Sequence, residues 1–409
     1  MSFKPESNRF FVHKAVFSTG ERFPVVLNRK TSQPVMLATR YIIDERRETR
    51  QSSTLDRDVR VLCWFYEWCS FVGIDLEQRL RSGNGFVSKE IQGVARWLRS
   101  GRHKKLIGSI GKLDDQIDYK GPILQPQTFN SYLAIIESFL VWATYEFVPK
   151  ANLDTEIDKN IQAAKRRINR IFKSYKAIGS VEQAKRYGLT RVELDLLRDL
   201  ICPRSKQNPF RIQNQFRNQL ILETMLSTGV RAGELLKLRV QDIPRGPKQT
   251  LSIVRQPDDL ADPRKYEPSV KTRSREIPIP RTLAVKLAKY VQSTRGKCEH
   301  QYLFTSSRQN YPLSKAGLSN IFSVLHKYFQ DYRQSFHPHL LRHTFNDLLM
   351  ERAKEIGMDD DVRGKVQNYL NGWAEGSFQG EAYTRRFVES EALQIVGEFQ
   401  NKIWDDNNG

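Results

Sequence analysis

Residues 226–243 read LSTGVRAGELLKLRVQDI, and the way this stretch is broken decides the fold around it. A helical pattern stops at Thr228-Gly229 and restarts at about Ala232, which sets Arg231 at a helix entrance. An arginine there adds its fork to the unpaired backbone N–H groups of a helix start, a good anion site. Glu234 lies three residues on, so it can sit beside Arg231 and hold its orientation, or form a purely structural ion pair with it. Downstream, LSIVR (251–255) and REIPIP (275–280) are β-like and are separated by a polar stretch rich in Pro and Asp. The rest of the chain from a start signal at Gly188-Leu189-Thr190 is helical in pattern. Residues 189–409 therefore predict a mainly α domain carrying a small antiparallel β-sheet.

Upstream, Lys159 to Lys176 holds seven Lys or Arg and no acid. Ile168, Ile171, Phe172 and Tyr175 fall on one side of this segment, and Arg166, Arg170 and Lys173 on another. Cations gathered on one face are what phosphate neutralisation requires, so Lys165, Arg166, Arg170, Lys173 and Lys176 are the expected phosphate contacts. A solvated helix face is the alternative. We treat 159–188 as a basic interdomain linker helix. Before it, 51–158 reads as a helical domain: Leu55, Val59, Leu62, Tyr66 and Cys69 step by three and four behind a Ser/Thr cap. A second helix runs from about Thr128 to Phe147. RSGRHKKLIGSIGK (99–112), between them, reads as a surface loop. In residues 1–50, STGER separates FFVHKAVF from FPVVLN, and NRKTSQP precedes VMLATRYI, which predicts an extension of short hairpins.

Composition limits what such a chain can do. It has 409 residues, 66 Lys and Arg against 46 Asp and Glu, and a net charge of +20. With 39% hydrophobic residues it can build cores, so it is not a disordered basic tail. The surplus makes the folded surface positive somewhere, and the commonest polyanions it could meet are nucleic acids and anionic membranes. No run approaches the ~18 apolar residues of a spanning helix, and MSFKPESNRFF lacks a signal peptide's apolar core. The expectation is a cytoplasmic protein with no membrane partner, nucleoid-associated if bacterial. Cys63, Cys69, Cys202 and Cys298 form no CxxC pair; Cys63 and Cys69 share a helix and read as core packing, not metal ligands.

Three further pieces carry potential chemistry. HPHLLRHTF (337–345) spaces His339 and Arg342 by three, so in a helix both reach one phosphate, with His337 and His343 flanking. VKTRSREIPIP (270–280) sets Lys271 before the second extended segment, where it can project from a hairpin. LNGWAEGSFQGEAYTRRF (370–387) sets Trp373 ten residues before Tyr383, with Arg385-Arg386 following.

In this order, Arg231, Lys271, His339-x-x-Arg342, Trp373 and Tyr383 resemble the tyrosine recombinase (phage integrase) family, over roughly 190–390. The resemblance implies a two-domain DNA clamp, a helical core-binding domain plus a tyrosine-recombinase catalytic domain. It implies site-specific integration or recombination of double-stranded DNA through a 3′-phosphotyrosine, without metal, cofactor or ATP, by a homotetramer on two duplexes. Tyr383 is then the nucleophile, and Arg231 and Arg342 neutralise the pentavalent phosphorus. Lys271 is the general acid for the departing sugar oxygen, and His339 accepts the phenolic proton. Trp373 stands where most relatives have a histidine; its indole N–H can donate to a phosphate oxygen but cannot accept a proton.

Two departures stand out. The spacing from Trp373 to Tyr383 is one residue longer than in many members, and QPDDLADPRKYEPSV (256–270) is longer than a minimal hairpin needs, which leaves Lys265 as a rival to Lys271. The helix expected at about 387–404 can close its own core or meet a neighbouring subunit. Two rival functions remain: a type IB topoisomerase-like enzyme, and a catalytically silent sequence-specific DNA-binding accessory protein.

Overall fold

The computed structural model describes residues 9–81, 86–99, 124–146, 155–176, 187–244, 249–307, 311–374 and 377. It divides into two compact units, Met1–Gln183 and Ala184–Gly409.

The first unit opens with an antiparallel hairpin, β1 (Phe10–Val16) and β2 (Arg22–Asn28), in a register that pairs Val12 with Val26. VMLATRYI does not make a further hairpin. It forms α1 (Met36–Tyr41) and a short π turn, because Leu37, Ala38, Tyr41 and Ile42 are the buried positions and recur with helical, not alternating, spacing. Tyr41 then meets Phe139 and Trp142, with ring centroids 5.3 and 5.4 Å away. The helices that follow are α2 (Ser52–Phe71), α3 (Leu76–Arg81), α4 (Ser88–Arg99), α5 (Pro126–Glu146) and α6 (Thr155–Tyr175). The hairpin, α1, α2, α4, α5 and α6 share one core. Cys63 and Cys69 are buried in it on α2, and burial pushes the Cys63 thiol up to about 12. Most of the 99–112 loop expected from sequence lies outside the described residues.

The second unit starts where Thr190 caps α7 (Arg191–Ile201): its hydroxyl accepts the Glu193 N–H at 3.2 Å, and the Glu193 carboxylate accepts the Thr190 N–H at 2.7 Å. Next come α8 (Ile212–Thr228) and α9 (Ala232–Lys237), then β3 (Thr250–Ile253) and β4 (Arg275–Pro278), paired antiparallel. α10 (Arg281–Ser293), α11 (Lys315–His326), α12 (Pro338–Glu355) and α13 (Asp360–Asn371) follow. α8 is central: Leu220, Ile221, Leu222 and Met225 are fully buried, and the helix packs on α10 and α12. Gly229 ends α8 in the left-handed region (φ 61°), where a side chain is strained, and the Phe345 ring occupies the space a Cβ would need. That tight turn delivers Arg231 to the mouth of α9. The expected C-terminal helix after Tyr383 falls outside the described residues.

Candidate active site

The last carbonyls of a helix have no partner within it and carry the negative end of its dipole. At the end of α13, three arginines from three other elements meet them. Arg275 of β4 donates from Nε to the Leu370 carbonyl at 2.8 Å, Arg342 of α12 donates to the Asn371 carbonyl at 3.1 Å, and Arg231 reaches the same Asn371 oxygen at 3.4 Å. Two guanidiniums that share one acceptor must lie side by side. The Arg342 fork is completed by the Gly229 carbonyl at 2.6 Å, so the turn between α8 and α9 and the end of α13 hold it together. Trp373 covers it, with the guanidinium carbon 5.2 Å from the ring centroid.

A single carboxylate organises the opposite side. Glu234 accepts the Arg231 backbone N–H at 2.8 Å and forms a two-armed pair with Arg275 at 3.0 and 3.1 Å; the Thr272 hydroxyl also donates to it. Its nearest approach to the Arg231 guanidinium is 4.0 Å. Glu234 therefore fixes the Arg231 backbone and grips Arg275, in addition to the looser ion pair with the Arg231 side chain that spacing suggested. Burial would raise its carboxyl, but Arg275, Thr272 and the Arg231 N–H outweigh that and hold it below the usual range, so it is ionised at neutral pH. Three guanidiniums, one carboxylate and a helix C-terminus leave a net positive site.

Exposure separates the two arginines, since Arg342 is 1% accessible whereas the Arg231 side chain is 20% accessible. His339 is exposed in the first turn of α12, one turn before Arg342, its ring 6.4 Å from that of His337. Trp373 is buried against Arg342. Lys271 is exposed on the loop ahead of β4, between two anchored neighbours. On one side the Ser269 carbonyl fills the space beside Gly233, where any Cβ would collide; on the other, Thr272 is bonded to Glu234. Both anchors are on the first turn of α9, next to Arg231. Lys265 lies instead between Arg264, which donates to the Leu236 carbonyl at 3.0 Å, and Glu267, which pairs with Lys237 at 2.5 Å, towards the other end of α9. Tyr383 lies outside the described residues.

In the first unit, α6 buries Phe172 and half-buries Ile168, Ile171 and Tyr175 against the core, leaving Arg166, Arg170 and Lys173 exposed. Lys165 and Lys176 differ from these three. Lys165 lies over the Tyr145 ring at 5.8 Å, and Lys176 pairs with Glu137 at 3.2 Å. Among the described residues no helix is long and apolar enough to cross a membrane.

The phage integrase family model matches residues 205–388, which contain all six positions from Arg231 to Tyr383. These residues form a phage integrase family domain. A tyrosine recombinase of Pseudothermotoga lettingae is 29% identical over 170 residues, 41% of this chain and 52% of that protein. Tyrosine recombinase XerA of Pyrococcus horikoshii is 26% identical over 153 residues, 37% of this chain and 48% of its own length. The chain thus spans about half the length of the curated relatives it matches. Among solved structures, the Tn1549 transposon integrase with circular intermediate DNA is 14% identical, with a TM-score of 0.44 over 85% of this chain and 94% of that one.

Within the integrase domain, sequence reading missed Arg275, Asn371 and Asn346. Arg275 did carry a signal: β4 alternates buried and exposed, and Arg275 shares the inward side with Ile277. A charged residue on the inward side of a strand needs a buried partner, here Glu234. Asn371 and Asn346 are fully buried; the Asn371 amide donates to Asn346 Oδ1 at 2.8 Å, and Asn346 donates to the Arg342 carbonyl at 2.8 Å, tying α13 to α12 beneath the arginines.

Proposed function

We propose that the chain is a site-specific DNA recombinase that cleaves and rejoins DNA through a 3′-phosphotyrosine at Tyr383. The observation that supports it most is the meeting of Arg231 and Arg342 on the Asn371 carbonyl inside an integrase-family domain. The Tyr383 phenolic oxygen attacks the scissile phosphorus while the bond to the 5′ oxygen breaks. Negative charge grows on the non-bridging oxygens, where Arg231, the more accessible cation, and Arg342 beneath it neutralise it. The Lys271 ammonium gives its proton to the departing 5′ oxygen, and His339 takes the phenolic proton. The anchoring of Ser269 and Thr272 on the turn that follows Arg231 favours Lys271 over Lys265. Because the broken phosphodiester is kept as a phosphotyrosine, the reverse attack by a 5′ hydroxyl reseals the strand without ATP. Arg166, Arg170 and Lys173 supply backbone contacts from the first unit, and exchange takes place in a homotetramer on two duplexes.

Separating binding from cleavage tests this. Arg231→Ala and Arg342→Ala should bind a cognate duplex within a few-fold of wild type, yet cleave a nicked suicide duplex roughly 10²- to 10³-fold more slowly. Unchanged cleavage would sink the assignment, and a wild-type chain that binds but never cleaves would make it an accessory DNA-binding protein.

A further inference from the structure

The residues between β3 and β4, which exceed what a hairpin needs, are bolted down by charges that the chemistry above does not use. Asp259 is the hub. It accepts from Lys237 Nζ at 3.4 Å, from Arg239 at 2.5 Å and from the Tyr302 hydroxyl. Lys237, the last residue of α9, also pairs with Glu267 at 2.5 Å, and Glu267 accepts the Asp259 N–H at 3.2 Å. Arg264 pairs with Asp262 at 2.7 Å, donates to the carbonyls of Leu236 and Leu313 at 3.0 and 2.8 Å, and lies over the Tyr302 ring at 4.4 Å. Lys237, Asp259, Asp262 and Arg264 are all buried.

A buried ion cluster is a poor source of stability compared with apolar packing, and in some folds its value is that it specifies one arrangement. Here the arrangement runs along α9. The cluster grips the helix at Lys237, and the same segment returns to Gly233 and Glu234, about 6 Å earlier along the axis, where Ser269 and Thr272 bracket Lys271. Both ends of the segment close on each other, since Arg255 N–H donates to Ser274 Oγ at 2.9 Å.

We propose that the Lys237–Asp259–Tyr302 lock is a positioning device for Lys271: it fixes the β3–β4 segment so that the ammonium meets the departing 5′ oxygen. This rests on the reading of Lys271 as general acid. The lock acts through the segment it fixes and not through contact with DNA.

A sulfur-for-oxygen substitution at the leaving atom provides the test. Two nicked suicide duplexes are made with the sequence that the wild-type chain captures covalently from a random-sequence duplex library. They differ only in the bridging 5′ atom of the scissile phosphate; a thiolate departs without needing a proton. Lys271→Ala should cleave the oxygen duplex at least ~10²-fold more slowly than wild type and the sulfur duplex at near wild-type rate. Tyr302→Phe, which removes one hydroxyl, and Asp259→Asn should slow the oxygen duplex roughly 10-fold and recover on sulfur as Lys271→Ala does. For Tyr302→Phe, equal slowing on both duplexes, or no slowing on oxygen, overturns the lock. If Lys271→Ala itself fails to recover on sulfur, the general-acid reading falls and the proposal falls with it.

Discussion

A guanidinium as deeply buried as that of Arg342 has to be met by acceptors, and it finds them in main-chain carbonyls: Gly229 at 2.6 Å and Asn371 at 3.1 Å. Lysine, with one compact ammonium in place of a planar fork, cannot span both. Arg342→Lys should therefore lose at least ~10²-fold in suicide-substrate cleavage; a variant within a few-fold of wild type would show that charge alone suffices. Glu234 is equally exacting. Glu234→Gln leaves Arg275 buried without its counter-charge, and urea unfolding of the second unit should show a loss of about 3–5 kcal/mol; a change below about 1 kcal/mol would mean the pair is not buried in solution. At the same scale, Cys63, its thiol held up to about 12 by burial, should resist iodoacetamide at pH 8 in the native protein, while exposed Cys202 reacts. Mass spectrometry of the labelled chain reads both.

Among elements, α6 joins packing to charge. Phe172 is fully buried, so Phe172→Ala should cost about 3–5 kcal/mol in the stability of the first unit. Replacing Arg166, Arg170 and Lys173 by Gln should leave stability nearly unchanged and reduce the slope of log K against log salt by about 0.9 for each phosphate that is no longer neutralised. An unchanged slope would mean that this face does not meet DNA. The division of α6 into two faces was legible because it is written in side-chain spacing. So was the break at Gly229, and so was the spacing of His339 to Arg342. The cap on α13 was not legible, because its acceptors are backbone carbonyls, which every residue has. VMLATRYI misled because four apolar residues beside a turn signal fit a short strand as well as a helix; only burial against Phe139 and Trp142 decides between them. The β3–β4 segment was visibly too long, yet its length does not reveal that Asp259 binds Lys237, Arg239 and Tyr302.

Across the chain, the 66 Lys and Arg do different work. Arg264 and Arg275 are consumed by buried carboxylates, and Lys237 by the buried Asp259 and Asp262 and the half-buried Glu267. Arg231 and Arg342 converge on a helix end in the integrase domain, while Arg166, Arg170 and Lys173 line an exposed face of the other unit. The count of Lys and Arg therefore overstates the cations open to DNA, whereas the net charge already has the paired acids subtracted. If this arrangement serves a tyrosine nucleophile, the residue bonded to DNA is Tyr383, and mapping the protein–DNA bond decides it. In EDTA, with a nicked suicide duplex, proteolysis and mass spectrometry of the covalent product should find a nucleotide joined through its 3′ phosphate to Tyr383, and Tyr383→Phe should yield no adduct. A covalent product on any other residue, or an adduct that persists in Tyr383→Phe, would rule out Tyr383 as the nucleophile.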